Sequence, residues 1–143
     1  MRKLILIAFA LFLAACSNEN KPLLSGDKCY FDSPGPGTPV SAKQDISVFG
    51  WFFDKASISE KSALRLQFVS SDRKISKIFE VTTTNGDRSD VVAALNDPQA
   101  AKSGFSVIIP ANSLAPGQYE MSVVSEGHFA SVSCGHGQSI EVK

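Results

Sequence analysis

Histidine occurs twice, cysteine three times and tryptophan once in the 143 residues. Most metal centres and nucleophile–base pairs are built from histidine and cysteine, so the chain has little to build them from. It carries no Gly-x-Ser-x-Gly elbow, no glycine-rich phosphate loop and no His-Glu-x-x-His pair. Serines are numerous, but none stands at a spacing that marks a nucleophile. Asp87 and Asp90 are loop carboxylates with no cleft signalled around them. Neither an enzyme nor a resident metal or cofactor is expected. Charge of one sign is lacking too: 14 basic residues face 14 acidic ones, which leaves no electrostatic footprint for nucleic acid. The strongly apolar stretch at the start, Leu4 to Leu13, has ten residues, half of the roughly 20 that span a bilayer as a helix. No fixed-period repeat and no low-complexity block is visible, so one globular domain is expected.

What is present begins with that short run. Arg2 and Lys3 precede it, and Leu13-Ala14-Ala15-Cys16 closes it. A positive end, a brief apolar stretch and small residues together mark residues 1–15 as an export signal. The closing four residues resemble the lipobox of bacterial lipoproteins. The resemblance implies that a lipoprotein signal peptidase reads Leu13, Ala14 and Ala15. It also implies that Cys16 takes a diacylglycerol on its sulfur and a further acyl chain, such as palmitate, on its amino group. Three chains, each methylene contributing about 0.8 kcal/mol on burial, make a permanent anchor. Ser17 follows the cysteine in place of a retaining aspartate, which implies the outer membrane and leaves the leaflet open. The alternative is a plain secretory signal with an incidental cysteine.

Without Arg2 and Lys3, 12 basic residues remain against 14 acidic ones, a formal charge of −2. That balance draws the mature chain to neither nucleic acid nor anionic lipid. Residues 16–27 are polar and read as a flexible tether. The eleven residues after Cys16 reach at most about 39 Å extended and roughly 18 Å as a coil. Residues 28–143 form the domain.

Cys29 and Cys134 remain once Cys16 carries lipid, and export places them in an oxidising compartment. A disulfide between them would clamp the start of the domain to its end. The competing metal reading, with Cys134, His136, Cys29 and His128, lacks the paired spacing of structural zinc sites.

Short runs of alternating apolar residues recur, separated by polar turns. Lys28–Phe31 reads as a first strand. Three prolines and two glycines between Asp32 and Pro39 then exclude a helix or central strand and leave a loop or an edge crossing. Asp45–Asp54 is apolar on both faces, with Ile46, Val48, Gly50 and Phe52 on one side and Ser47, Phe49, Trp51 and Phe53 on the other. A central strand covered by a sheet on one side and by a loop or short helix on the other fits this pattern. Trp51 is assigned to the core between sheets, the alternative being a sugar-stacking platform. Further strands are expected at Leu64–Phe68, at Ile75–Thr84 ending in an Asn85-Gly86 turn, at Phe105–Ile109, Tyr119–Val123, Phe129–Cys134 and Ser139–Val142. Asp90–Leu95 reads as a helical turn capped by Asp90, with Pro98 opening another.

Seven or eight strands at this spacing predict an all-β chain, an antiparallel β-sandwich with one short helical turn near residues 90–96. Gly50-Trp51, Asp54, Arg88-Ser89-Asp90-Val91, Ser103-Gly104-Phe105 and Leu114-Ala115-Pro116-Gly117-Gln118-Tyr119 resemble the landmarks of small Ig-like modules of bacterial surface proteins. Ser89 stands where such modules usually carry proline. The resemblance implies an Ig-like sandwich with an accessory, non-catalytic role. Within the landmarks, Tyr119 is placed to bond back to the preceding corner. Asp87, Arg88 and Asp90 form either a ligand patch or a solvated loop tied by an Arg88–Asp90 pair. The expected function is a membrane-anchored binding or accessory module for an envelope glycan or protein. The alternative is a structural subunit of an envelope assembly.

Cys16→Ser is expected to leave a precursor heavier by the signal segment and without incorporated palmitate. Gel mobility and acyl labelling check this, and normal processing of the variant would remove the compartment assignment.

Overall fold

The computed structural model describes residues 21–56, 63–81, 83–128, 130–135 and 137–143. Cys16 and His136 therefore lie outside the described residues. Eleven strands form within them: β1 (Leu23–Ser25), β2 (Cys29–Ser33), β3 (Thr38–Val40), β4 (Ile46–Phe52), β5 (Ala63–Ser70), β6 (Ser76–Glu80), β7 (Thr83–Gly86), β8 (Gly104–Ile109), β9 (Gly117–Glu126), β10 (Ser131–Cys134) and β11 (Ser139–Val142). Helix α1 (Ser89–Leu95) and a 3-10 helix (Pro98–Lys102) lie between β7 and β8. The smaller sheet runs β2-β4-β8-β7. In the larger, seven-stranded sheet β9 pairs with β5, which pairs with β6. The other side of β9 is shared end to end. β11 takes Gly117–Glu120 and β10 takes Val123–Glu126. The chain is an all-β sandwich.

Period-2 alternation builds the core. Val48 and Phe52 of β4, Phe105, Val107 and Ile109 of β8, and Phe31 of β2 point inward from the small sheet. Leu66, Phe68, Met121, Val123 and Ile140 meet them from the large one. Phe31 and Phe105 stack edge to face with centroids 5.7 Å apart. Cys29 and Cys134 are bonded, with their Cα atoms 6.1 Å apart, and the bond joins β2 of one sheet to β10 of the other. With a sequence separation of 105, loop closure contributes at most about 4.7 kcal/mol in the chain-entropy view. The Tyr119 hydroxyl donates to the Ala115 carbonyl at 3.0 Å, the tyrosine corner expected from the sequence.

Two glycines make this packing possible. A Cβ on Gly50 would stand 2.1 Å from the Tyr30 carbonyl oxygen, so β2 crosses β4 closer than any side chain allows. Gly135 has φ +142 and a would-be Cβ 2.5 Å from the Met121 oxygen. It makes the jog by which β10 gives way to β11 along β9.

Several expectations need correction. The sandwich is not purely antiparallel, because β1 runs parallel to β10 and β3 parallel to β11. These short strands, with β7, raise the number above seven or eight. β3 accepts Pro39 because it lies at a sheet edge, where a missing N–H costs no ladder bond. The tether does not extend to Asp27. Leu23–Ser25 belong to the sheet, because the edge of β10 offers backbone partners that outweigh the polar sequence around them. Ile75–Thr84 is not one strand: β6 lies in the large sheet and β7 in the small. Asn85-Gly86 sits within β7 instead of turning a hairpin. Arg88, not Asp90, occupies the N-cap of α1, and Asp90 lies in its first turn. Asp97 caps the 3-10 helix through Gln99 N, with Pro98 at its start, as expected.

Gly50→Ala should destabilise the fold by about 1–3 kcal/mol, the usual cost of overpacking. Gly35→Ala, where a Cβ would meet only Thr38 Oγ1 at 3.5 Å, should melt near the wild type. Thermal melts of the two variants side by side check the contrast.

Candidate functional site: the outer face of the small sheet

The residues of β4 that point away from the core share a face with their neighbours on β2 and β8. Tyr30 lies opposite Trp51, Phe49 opposite Ser106, and Ser47 opposite Ile108. Side chains opposite each other are about 5 Å apart at Cβ. The face therefore carries Tyr30, Trp51, Phe49 and Ile108 as one patch, with the hydroxyls of Ser47 and Ser106 among them. Tyr30 and Phe49 are each 46% exposed and Ile108 63%. Trp51 is half-buried.

One end of this face is roofed. α1 and the 3-10 helix set Val91 and Ala100 over Phe53, and all three are buried, with Trp51, Val92 and Leu95 packed around them. Trp51 is thus not between the sheets, as the sequence suggested. An odd number of residues from the inward-facing Phe52 and Val48, it must point outward, where the helical layer packs against it. The aromatic row of β4 and the residue that follows it grades from sealed at Phe53, through half-covered at Trp51, to open at Phe49.

Arg88 pins that layer in place. Its Nε and Nη2 donate to Asp90 Oδ1 and Oδ2 at 2.9 and 2.7 Å, and Nη1 donates to Asp32 Oδ2 at 2.6 Å. Its backbone N–H donates to the Ala101 carbonyl at 2.9 Å. The guanidinium thus links the end of β2 to the first turn of α1, in the planar fork geometry that arginine alone provides, and the backbone amide of the same residue ties it to the 3-10 helix. Of the sequence patch, Arg88 and Asp90 come together, while Asp87 is exposed and the second carboxylate is Asp32. The donors turn inward, so the group acts as a strut for the roof beside the aromatic face. No local signal marks Asp32, which lies 56 residues away. Arg88 holds the Asp90 carboxyl down to about 2, and the two carboxylates raise the guanidinium further above its ordinary value. Beyond this strut, Lys55 pairs with Asp97 at 2.7 Å, and that hydrogen bond lowers Asp97.

Among the described residues, no group of three or more histidine, cysteine, aspartate or glutamate side chains comes together as a metal site. His128 sits exposed in the loop after β9.

No family model and no curated protein matches the chain. Among solved structures, the endo-beta-1,4-mannanase from Thermotoga petrophila is similar at a TM-score of 0.48 and 15% identity. That likeness covers 82% of this chain, which spans about a fifth of the mannanase, 20% of its length. Fibronectin(III)-like modules of Clostridium thermocellum CbhA are similar at 0.43 and 17% identity, over 80% of this chain and 94% of theirs. A metagenome-derived glycoside hydrolase family 9 endoglucanase is similar at 0.41 and 13%, over 71% of this chain and 17% of its own.

The Asp90 carboxyl titrates below its ordinary 3.8 in the folded chain. Its pairing with Arg88 therefore stabilises the fold above that value and is lost as pH falls toward about 2. Asp90→Asn should melt below the wild type at neutral pH, and the gap should close as pH drops through that window. Melting curves at stepped pH check the sign.

Proposed function

We propose that this chain is a non-catalytic module that binds a glycan of the bacterial envelope through the outer face of its small sheet, held at the outer membrane by lipid on Cys16. One observation carries the reading: Tyr30, Phe49 and Ile108 stay exposed side by side on a sheet face whose other end is roofed. Single exposed apolar residues need no account, but a contiguous patch of rings marks a place of contact. The patch mixes rings with the hydroxyls of Ser47 and Ser106. A pyranose suits that mixture. Its C–H face carries slight positive charge and settles on the negative face of an aromatic ring, while its hydroxyl edges reach serine oxygens and water. A dry protein interface would leave those serines to be satisfied by the partner.

The anchor rests on the resemblance of Leu13-Ala14-Ala15-Cys16 to a lipobox, and the accessory role on the resemblance of Arg88-Ser89-Asp90-Val91 and its companion landmarks to small Ig-like modules. A second reading, a structural subunit of an envelope assembly, has in its favour Ile78 on edge strand β6 and the adjoining Ile75, both exposed. An uncovered apolar edge invites another chain.

Affinity electrophoresis of the mature protein in detergent, through gels holding a soluble β-glucan or solubilised peptidoglycan, tests the glycan reading. Retardation of the wild type is expected, and Phe49→Ala and Tyr30→Ala should abolish it. Both variants should keep stability within about 0.5 kcal/mol, as exposed substitutions do. Trp51, the sole tryptophan, should report binding by a change in emission. A wild type unretarded by either polymer, yet co-purifying with an envelope protein that Phe49→Ala fails to hold, would replace the glycan by a protein partner.

A further inference from the structure

We propose that the β1 end of the domain lies against the membrane that holds Cys16, with Leu23 and Leu24 seated in its interfacial layer. This rests on the lipid anchor proposed above and goes beyond it by fixing how the domain sits. The first argument is the length of chain between the anchor and the fold. The Ser131 amide donates to the Pro22 carbonyl at 3.0 Å, and Lys21 Nζ donates to the Gly127 carbonyl at 3.2 Å. The chain is thus fixed to the sandwich from Lys21 onward, and four residues separate Lys21 from Cys16. Those residues reach at most about 18 Å when fully extended. A domain of this size measures roughly 35 Å across. The anchor is therefore too short to let the far side of the sandwich turn to the bilayer, and the β1 edge is what it delivers there.

The second argument is what that edge carries. Leu23 is 67% exposed and Leu24 52%. Successive residues of a strand point to opposite faces, and both are open because β1 is three residues long and pairs only with β10. Two leucines on an uncovered edge strand are a liability in water. A bilayer interface within reach of the anchor covers them without any further chain. Lys21 lies at the same end, where an ammonium can stay among headgroups while its stem lies along apolar material. Of the occupants such an edge could take, the membrane is the apolar phase that an acylated Cys16 brings into contact on every molecule.

The test uses the full lipidated protein. Leu23, Leu24 and, as a control, Ile78 are changed to cysteine one at a time and labelled with nitrobenzoxadiazole. Each variant is reconstituted into vesicles of phosphatidylethanolamine and phosphatidylglycerol, with and without doxyl-labelled lipid. Ile78 is similarly exposed, on an edge strand four strand spacings from β1, about 19 Å away. Labels at 23 and 24 should shift to the blue on reconstitution and lose fluorescence to the doxyl lipid, while the label at 78 does neither. Mass spectrometry and vesicle flotation of the same samples report acylation. Acylated, floating protein whose labels at 23 and 24 behave like the label at 78 overturns the orientation and leaves the anchor standing. Protein without acyl chains that fails to float overturns both. A blue shift without vesicles that grows with protein concentration assigns the edge to a second copy of the chain and likewise overturns the proposal.

Discussion

β4 is apolar on both faces, and the rest of the structure follows from having to cover it twice. On its inner side Ile46, Val48 and Phe52 need a whole sheet, which β5, β9, β10 and β11 supply. The outer side needs less. Phe53 and Trp51 receive a thin layer made of two short helices. A seven-residue helix and a five-residue 3-10 helix have too few turns to be stable alone. They hold because they have an aromatic floor to pack on and Arg88 to bind them to β2. Cover and strut depend on each other, and both end before Phe49. The exposed patch is the part of β4's second face that this roof does not reach.

How much of this was legible in the sequence depends on what each strand buries. β4, β5, β8 and β9 announce themselves, since each places a regular alternation of large apolar side chains against the core. β1 and β3 bury little, are three residues long and owe their form to neighbours far along the chain. Local pattern holds no trace of such partners. At Asn85-Gly86 a turn signal was real but weaker than the pull of β8, which takes the segment as an edge strand. The side of β4 on which Trp51 stands could be read from parity. What would cover that side could not, because the helical layer is placed by contacts between segments dozens of residues apart. The same holds for Arg88. Its partner in sequence, Asp90, was visible, whereas its partner in space, Asp32, was not.

The large sheet has a division of labour that follows from β9. Ten residues long, β9 is the spine to which the two closing strands are separately attached. β10 brings β1 with it, and β11 brings β3. Gly135, where only a residue without a side chain fits beside Met121, separates the two attachments. The two closing strands, β10 and β11, therefore meet β9 without competing for the same backbone groups, and each carries an early strand, β1 or β3, on its outer edge.

The bridge between Cys29 and Cys134 also has a mechanical meaning. Tension applied at the N-terminus runs first along β1, which is held to β10 by only three paired residues. That strip can be sheared away at modest load, lengthening the connection by the residues between Lys21 and Cys29. There the pull meets a covalent bond to β10, the strand that β1 has just left, and from that point the load is shared between the two sheets instead of falling on β2 alone. The domain has a short, weak leader in series with a locked body, so a tug shifts its distance from the attachment point before it threatens the fold.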